Sequence, residues 1–278
     1  MSGKGCFTDP PSAFLPSKNG LVAWYDTNSA VFSGGSLTSW RDRNEYENNL
    51  IPEEGYSITS NFNFTNNLFK YGIEFQMQTT GASIFIVCSF CNNPVADQFF
   101  PLPTTNNMVT IFSSNYLSTT QPANSAFSVS MFNYSATSRS NFIINTYDLF
   151  SNYVTFSNQL TVGSYTGKQI INAICFNSNF SGSFSRAYVN GSIVSCNSHV
   201  INLSSDINTF NLWLGDTPVP VNSSEREIVV HVASGSYSMF EVLVYNRVLS
   251  QSETSSVNRY LAAKNSTTAL ANSGNFQY

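Results

Sequence analysis

Charge is what this sequence has least of. Only 10% of its 278 residues are Asp, Glu, Lys or Arg, where an average globular domain carries about 25%. The 12 Lys and Arg are scattered singly and the net charge is −4. No basic stripe exists to neutralise phosphates, so nucleic-acid binding is not expected. Imidazole is nearly missing as well: His199 and His231 are the two histidines. Neither has a suggestive neighbour, and no Gly-x-Ser-x-Gly elbow joins a strand to a helix, so a nucleophilic triad lacks support. Long apolar runs are absent, and nothing approaches the roughly 18 residues that cross a bilayer. The opening Met1-Ser-Gly-Lys-Gly-Cys-Phe-Thr-Asp-Pro-Pro11 lacks the apolar core of a signal peptide. Neither a membrane span nor a secretion leader is therefore expected.

Cysteine is sparse and odd in number: Cys6, Cys88, Cys91, Cys175 and Cys196. An odd count excludes a fully paired framework. Cys88-Ser-Phe-Cys91 has redox or zinc spacing, but it follows the strand-like Ser83-Ile-Phe-Ile-Val87 rather than opening a helix. A zinc site needs three or four converging ligands, and no second such pair occurs, so buried strand thiols are the expectation. Cys175 and Cys196 fall on strands expected to be neighbours and could pair under oxidising conditions.

Ser, Thr and Asn fill the place of charge, with 43, 22 and 34 copies. The resulting surface is polar yet nearly uncharged, a character common outside cells and on virus particles and rare in cytosolic enzymes. A virion protein reconciles such a surface with the lack of a leader, because it assembles inside the host cell and is exposed later. Seven Asn-x-Ser/Thr sequons occur, at Asn63, Asn133, Asn179, Asn190, Asn202, Asn222 and Asn265, and this composition makes about eight by chance. They are no sign of glycosylation. Hydrophobic residues reach 42%, enough for the core of a single large β-domain.

Residues 1–19, with Pro10, Pro11 and Pro16, read as an extended N-terminal arm. A strand follows at Leu21–Tyr25, then a turn and short strand within Gly34–Asp42. Short segments rich in Val, Ile, Phe, Tyr and Thr recur between turns, as strands do. They are Ser83–Phe90, Met108–Phe112, Ala126–Phe132, Phe142–Thr146, Tyr153–Phe156, Ile170–Phe176, Ser185–Val189, Ser192–Ser195, Phe210–Leu214, Ile228–Val232 and Met239–Tyr245. Asn190-Gly191 is a two-residue hairpin turn, since both central positions need φ > 0 and these residues tolerate it. One helix is expected from Ser250. Ser250 as N-cap and Glu253 three residues on form a capping box, and Val257, Tyr260 and Leu261 give the stripe that docks it on a sheet. Residues 265–278 are a polar tail. The pattern predicts an all-β fold, a two-layer antiparallel sandwich closed by one short C-terminal helix.

Three stretches carry a resemblance. Gly20-Leu-Val-Ala-Trp-Tyr-Asp26 with Gly35-Ser-Leu-Thr-Ser-Trp-Arg-Asp-Arg43 and Asn48-Asn49 resembles the opening of laminin-G-like, concanavalin A-type jelly-roll domains. Arg186-Ala-Tyr-Val-Asn-Gly-Ser-Ile-Val194 is similar to their Tyr-Val-Asn-Gly hairpin. Phe240–Ser250 with Glu253 and Tyr260-Leu-Ala-Ala-Lys264 is similar to their closing strand and helix. The resemblance covers residues 20–264, by strand pattern alone between about 50 and 165. It departs at Asn44-Glu-Tyr-Glu47, where such domains have a Ser-Gly turn, and this puts loop-borne function near Asp42 in doubt. It implies recognition of sugars, glycoproteins or proteins, sometimes with Ca²⁺, but a fold does not choose among roles.

The same sandwich carries glucanases, which need two carboxylates about 5–10 Å apart. Their Glu-x-Asp-x-x-Glu strand pattern is absent. Glu53-Glu54 are adjacent, Glu225 and Glu227 flank Arg226 in a polar loop, and Glu241 stands alone in its strand as a structural carboxylate. Calcium needs several oxygens converging from loops. Asp26, Asp42, Asp97, Asp206 and Asp216 lie at loop edges, with Asp216 after Gly215 the weak calcium candidate and turn-stabilising Asp the default. No other cofactor is expected. Trp24, Trp40 and Trp213 could stack on sugars, but each falls in or beside a strand, where core packing is the default. The sequence therefore points to a non-enzymatic binding or structural protein, a capsid-associated or surface component of a large DNA virus particle. Its expected partners are other structural proteins, with glycans as a further contact. A free carbohydrate-binding lectin, extracellular or on a cell surface, is the alternative, and a glycoside hydrolase the less supported one.

Overall fold

The structure, a computed structural model, describes residues 17–44, 48–52, 58–59, 62–64, 69–76, 81–90, 108–116, 125–134, 139–148, 153–158, 168–176, 186–196, 209–214 and 237–267. In chain order the strands begin with β1 (Leu21–Asp26), β2 (Ala30–Ser33), β3 (Ser36–Trp40), β4 (Asn63–Phe64) and β5 (Ile73–Gln76). Then come β6 (Gly81–Phe90), β7 (Met108–Tyr116), β8 (Ser125–Tyr134), β9 (Arg139–Asp148) and β10 (Tyr153–Asn158). The last are β11 (Gln169–Phe176), β12 (Arg186–Val189), β13 (Ser192–Cys196), β14 (Thr209–Leu214) and β15 (Tyr237–Tyr245), followed by helix α1 (Gln251–Asn265). The expected segment Ile228–Val232 lies outside the described residues.

Two antiparallel sheets make the body. One runs β1-β15-β6-β11-β12-β13 with β4 on β15, and the other runs β10-β9-β8-β7-β14-β5. Between them lies the main core. Tyr25, Ile84, Ile86, Ile171, Val242 and Val244 of the first sheet meet Ile73, Phe75, Leu212 and Leu214 of the second. The first sheet is buried on its other face too, where Phe85, Val87, Leu243 and Tyr245 lie under Val257, Tyr260 and Leu261 of α1. This explains why Ile84-Phe85-Ile86-Val87 shows no alternation: a strand covered on both sides has no polar face. Each large apolar side chain so buried contributes about 1.5–3 kcal/mol.

Turn chemistry is where the sequence puts it. Gly34 and Gly35, at φ 58 and 84, close the β2–β3 hairpin with the left-handed pair such a tight turn requires. Asn190 and Gly191, at φ 51 and 79, do the same between β12 and β13. The Asn190 carboxamide does more, because its Oδ1 accepts from the Ile170 backbone N–H at 2.9 Å and its Nδ2 donates to Gln169. It thereby pins the hairpin to the start of β11. Trp40, fully buried, donates from Nε1 to the Asp26 carbonyl at 2.7 Å and packs on Tyr25, Phe62 and Phe69.

One expectation is corrected. β11 and β13, which carry Cys175 and Cys196, are not neighbours, because β12 lies between them. Two inter-strand steps of about 4.8 Å put the backbones roughly 10 Å apart, beyond the ~7 Å Cα limit for a disulfide. Cys88 is a free, buried thiol, pushed up in pKa by burial.

Candidate functional site

Both ends of α1 are fastened by charge. At its start, Ser250 and Glu253 form a reciprocal capping box, and the Glu253 carboxylate also grips Arg247 at 2.5 and 3.0 Å. That guanidinium, with help from the Ser250 backbone and hydroxyl, lowers the Glu253 carboxyl to about 2. Arg247 donates from Nε to the Asn19 carbonyl at 3.0 Å, and the Tyr245 hydroxyl donates to the Ser17 carbonyl at 3.1 Å. The segment leading into β1 is thus tied to the helix start.

The other end is a buried ionic cluster. Lys264 Nζ lies 2.7 Å from Asp26 Oδ2 and 2.8 Å from Glu241 Oε1. The two carboxylates are 1% and 0% exposed, and the lysine 22%. Glu241 Oε1 also accepts from Trp24 Nε1 at 3.0 Å and from the Tyr260 hydroxyl at 3.1 Å. Its Oε2 accepts from Asn265 Nδ2 at 2.8 Å. Asp26 is further paired with Arg43, whose guanidinium lies 4.4 Å over the Trp24 ring. Burial pushes the Asp26 carboxyl up, but Lys264 and Arg43 together outweigh it and hold it below its ordinary value. Burial and the nearby Glu241 raise the Tyr260 phenol. Glu241 is indeed a satisfied structural carboxylate.

Asp42 has a different task. Its carboxylate accepts from the backbone N–H of Trp24 at 2.9 Å, of Asn44 at 2.9 Å and of Asn48 at 3.3 Å. Asn44 and Asn48 then donate from their side chains to the Leu21 and Val22 carbonyls at 2.6 and 3.1 Å, and the Arg43 N–H donates to the Trp24 carbonyl at 2.7 Å. The loop after β3 therefore satisfies the open edge of β1, which would otherwise offer itself to another strand. Burial raises the Asp42 carboxyl, and those three N–H groups only partly offset it. Asp26 and Asp42 are thus fastened to protein groups rather than free for a cation. Among the described residues no group of three or more His, Cys, Asp or Glu converges as a metal site would. Asp97, Asp206, Asp216, Glu53, Glu54, Glu225, Glu227, His199 and His231 lie outside the described residues.

The far face of the second sheet is unlike all this. Leu212 and Leu214 of β14 are buried in the core. Across the sheet Trp213 is in backbone register with Ser113, Ser113 with Ser128, Ser128 with Asn145 and Asn145 with Thr155. The next row along the strands is Glu74, Asn211, Asn115, Ala126, Tyr147 and Tyr153. Glu74 and Gln76 of β5 are exposed, while Ile73 and Phe75 between them are buried.

Lys264, the hub of the buried cluster, escaped the sequence reading. Its signal was Glu241 itself, a lone carboxylate in an apolar strand that demands a cation.

No family model and no curated protein matches this chain. Solved structures do. The binding domain of Paraclostridial Mosquitocidal Protein 1 is 13% identical, with a TM-score of 0.51 over 88% of this chain and 53% of that one. Trypanosoma rangeli sialidase in complex with sialic acid gives 10% and 0.49, covering 88% and 33%. Alginate lyase Aly36B gives 10% and 0.48, covering 84% and 98%. The chain thus spans a third to about half of the first two. At these identities the likeness is one of fold, a β-sandwich, and no more.

Proposed function

We propose that this chain is a non-enzymatic binding module of the laminin-G-like kind, a surface or capsid-associated component of a large DNA virus particle. It works through contacts with other structural proteins and through glycans. The observation that carries this reading is that each acid described around α1 and β1 is occupied by the fold. Hydrolysis of a glycosidic bond needs a pair of carboxylates reachable by substrate and water. Asp26 and Glu241 do share a lysine, but both are buried under α1 and occupied. Glu253 serves a cap and Asp42 a strand edge.

The test is incorporation. Ser17 and Asn19 hold Tyr245 and Arg247, so truncation should stop short of them. Removing residues 1–16 is expected to leave the melting temperature within a few degrees of the full chain and to block uptake into particles. Normal uptake would overturn the assembly role. The alternative, a free lectin module, is favoured if the isolated chain binds a glycan array saturably and no particle carries it. Turnover of a β-glucan panel, lost on replacing one carboxylate, would restore the hydrolase.

A further inference from the structure

We infer that the buried cluster at the end of α1 is a self-cross-linking site, in which Lys264 Nζ condenses with the Asp26 carboxyl into an amide and Glu241 is the general base. This role does not depend on what the module binds. Lys264 Nζ lies 2.7 Å from Asp26 Oδ2 and 2.8 Å from Glu241 Oε1, so nucleophile, electrophile and base are in contact. Such placement converts a reaction between two free groups into an intramolecular one. The Tyr260 hydroxyl, 3.1 Å from both Nζ and Glu241 Oε1, holds the base in place. Trp24 Nε1 does the same at 3.0 Å from that oxygen. Both carboxylates are sealed from water, whereas the lysine keeps some exposure. Water formed here has an exit, and the finished amide is shielded from hydrolysis.

The chemistry balances with no further reactant. Asp26 starts as a carboxylate paired with Lys264 and Arg43, and an amine attacks a carboxylate slowly unless that charge is neutralised. Arg43 donates to Oδ2, while Oδ1 accepts from the backbone N–H of Asn28 at 3.1 Å and of Ser29 at 3.0 Å. Those two N–H groups meet the oxygen on which negative charge gathers as Cγ becomes tetrahedral, as an oxyanion hole does. Glu241 Oε1 takes one proton from the Lys264 ammonium. The freed amine attacks Cγ, and the N–C bond forms as the Cγ–Oδ2 bond breaks. Oδ2 leaves as water, with the proton returned by Glu241 and a second one from the nitrogen. The ion pair becomes one amide and one water, and Glu241 is unchanged. Because the bond joins positions 238 apart, it ties the last turn of α1 to the end of β1 and restricts the unfolded chain.

The test is the intact mass of the full chain, denatured after incubation in the folded state at neutral pH. The mass should fall short of that of the sequence by one water. Proteolysis should release a branched peptide joining the segments that hold Asp26 and Lys264. Glu241→Gln keeps nucleophile and electrophile and should slow the bond by roughly a hundredfold, as loss of a general base does. Lys264→Arg keeps the cation without the amine and should hold the full mass of its own sequence. If either variant fails to fold, the parent's mass and its branched peptide still decide. A parent of full mass, a lost water without a branch, or a branch running through Glu241 or another lysine each overturns the cross-link. Equal rates in the parent and Glu241→Gln overturn the role of Glu241.

Discussion

The two outer faces of this sandwich use the same amino acids in opposite ways. On the first sheet the face is roofed by α1 and its charges are gathered into two knots. Arg247 and Glu253 close the helix start, and Asp26, Arg43, Glu241 and Lys264 close its end. On the second sheet the face has no helix over it among the described residues, and its two central rows hold one charge, Glu74, at the edge. Six of its few ionisable residues thus fasten structure, while Lys18, Arg41, Lys70, Glu74 and Arg259 stand exposed. Scarcity of charge is therefore not blandness. It marks the side of the molecule on which α1 is fastened to the first sheet.

The sharpest way to break that fastening is to remove the hub of the second knot. Lys264→Met takes the shared cation from two carboxylates that have almost no water to turn to. Losing one partner of a buried ion pair costs about 3–5 kcal/mol, and urea unfolding should read a loss in that range. Arg43 remains for Asp26, while Glu241 keeps only neutral donors, so Glu241→Gln in the same chain should restore part of the loss. A loss below about 1 kcal/mol for Lys264→Met would mean the cluster is decorative.

The knot at the helix start responds to acid, and the sign follows from the direction of its shifts. Glu253 has an ordinary carboxyl value of 4.5 and a folded value of about 2, so its contribution is complete above 4.5 and fades as pH falls toward 2. Asp26 is lowered as well and acts in the same sense. Asp42, raised by burial, acts in the opposite sense. The expected decline in melting temperature below about pH 4.5 is therefore the excess of Glu253 and Asp26 over Asp42. Glu253→Gln should flatten part of that decline. An unchanged slope would remove Glu253 from it. At neutral pH, Ser250→Ala should cost about 0.5–2 kcal/mol through the lost cap.

How much of this was legible beforehand depended on sequence range. The capping box spans three residues, the hairpin turn two, and the strand segments are local, so Ser250–Glu253, Asn190-Gly191 and most strands could be read directly. β2 and β5 are four residues each, too short for a period of two to stand out. The buried cluster joins Asp26 to Lys264 across almost the whole chain, a link no local pattern encodes. Strand order was equally hidden, which is why β12 between Cys175 and Cys196 was not foreseen.

The smallest effect tests the second sheet itself. Ser128 and Asn145 are directly opposed in the register of β8 and β9. If this row faces solvent, single changes there, Ser128→Lys or Asn145→Glu, should move stability by less than about 0.5 kcal/mol. Together they form a cross-strand ion pair, which should add about 0.2–1 kcal/mol beyond the sum of the singles, whereas Ser128→Lys with Asn145→Lys should subtract a similar amount. Thr155 lies in the same row but one strand further, roughly 10 Å from Ser128. Ser128→Lys with Thr155→Glu should therefore couple less than the adjacent pair. A large loss from either single change would place these residues inside a packed core. Equal coupling at both spacings would break the register on which the contrast between the two faces stands.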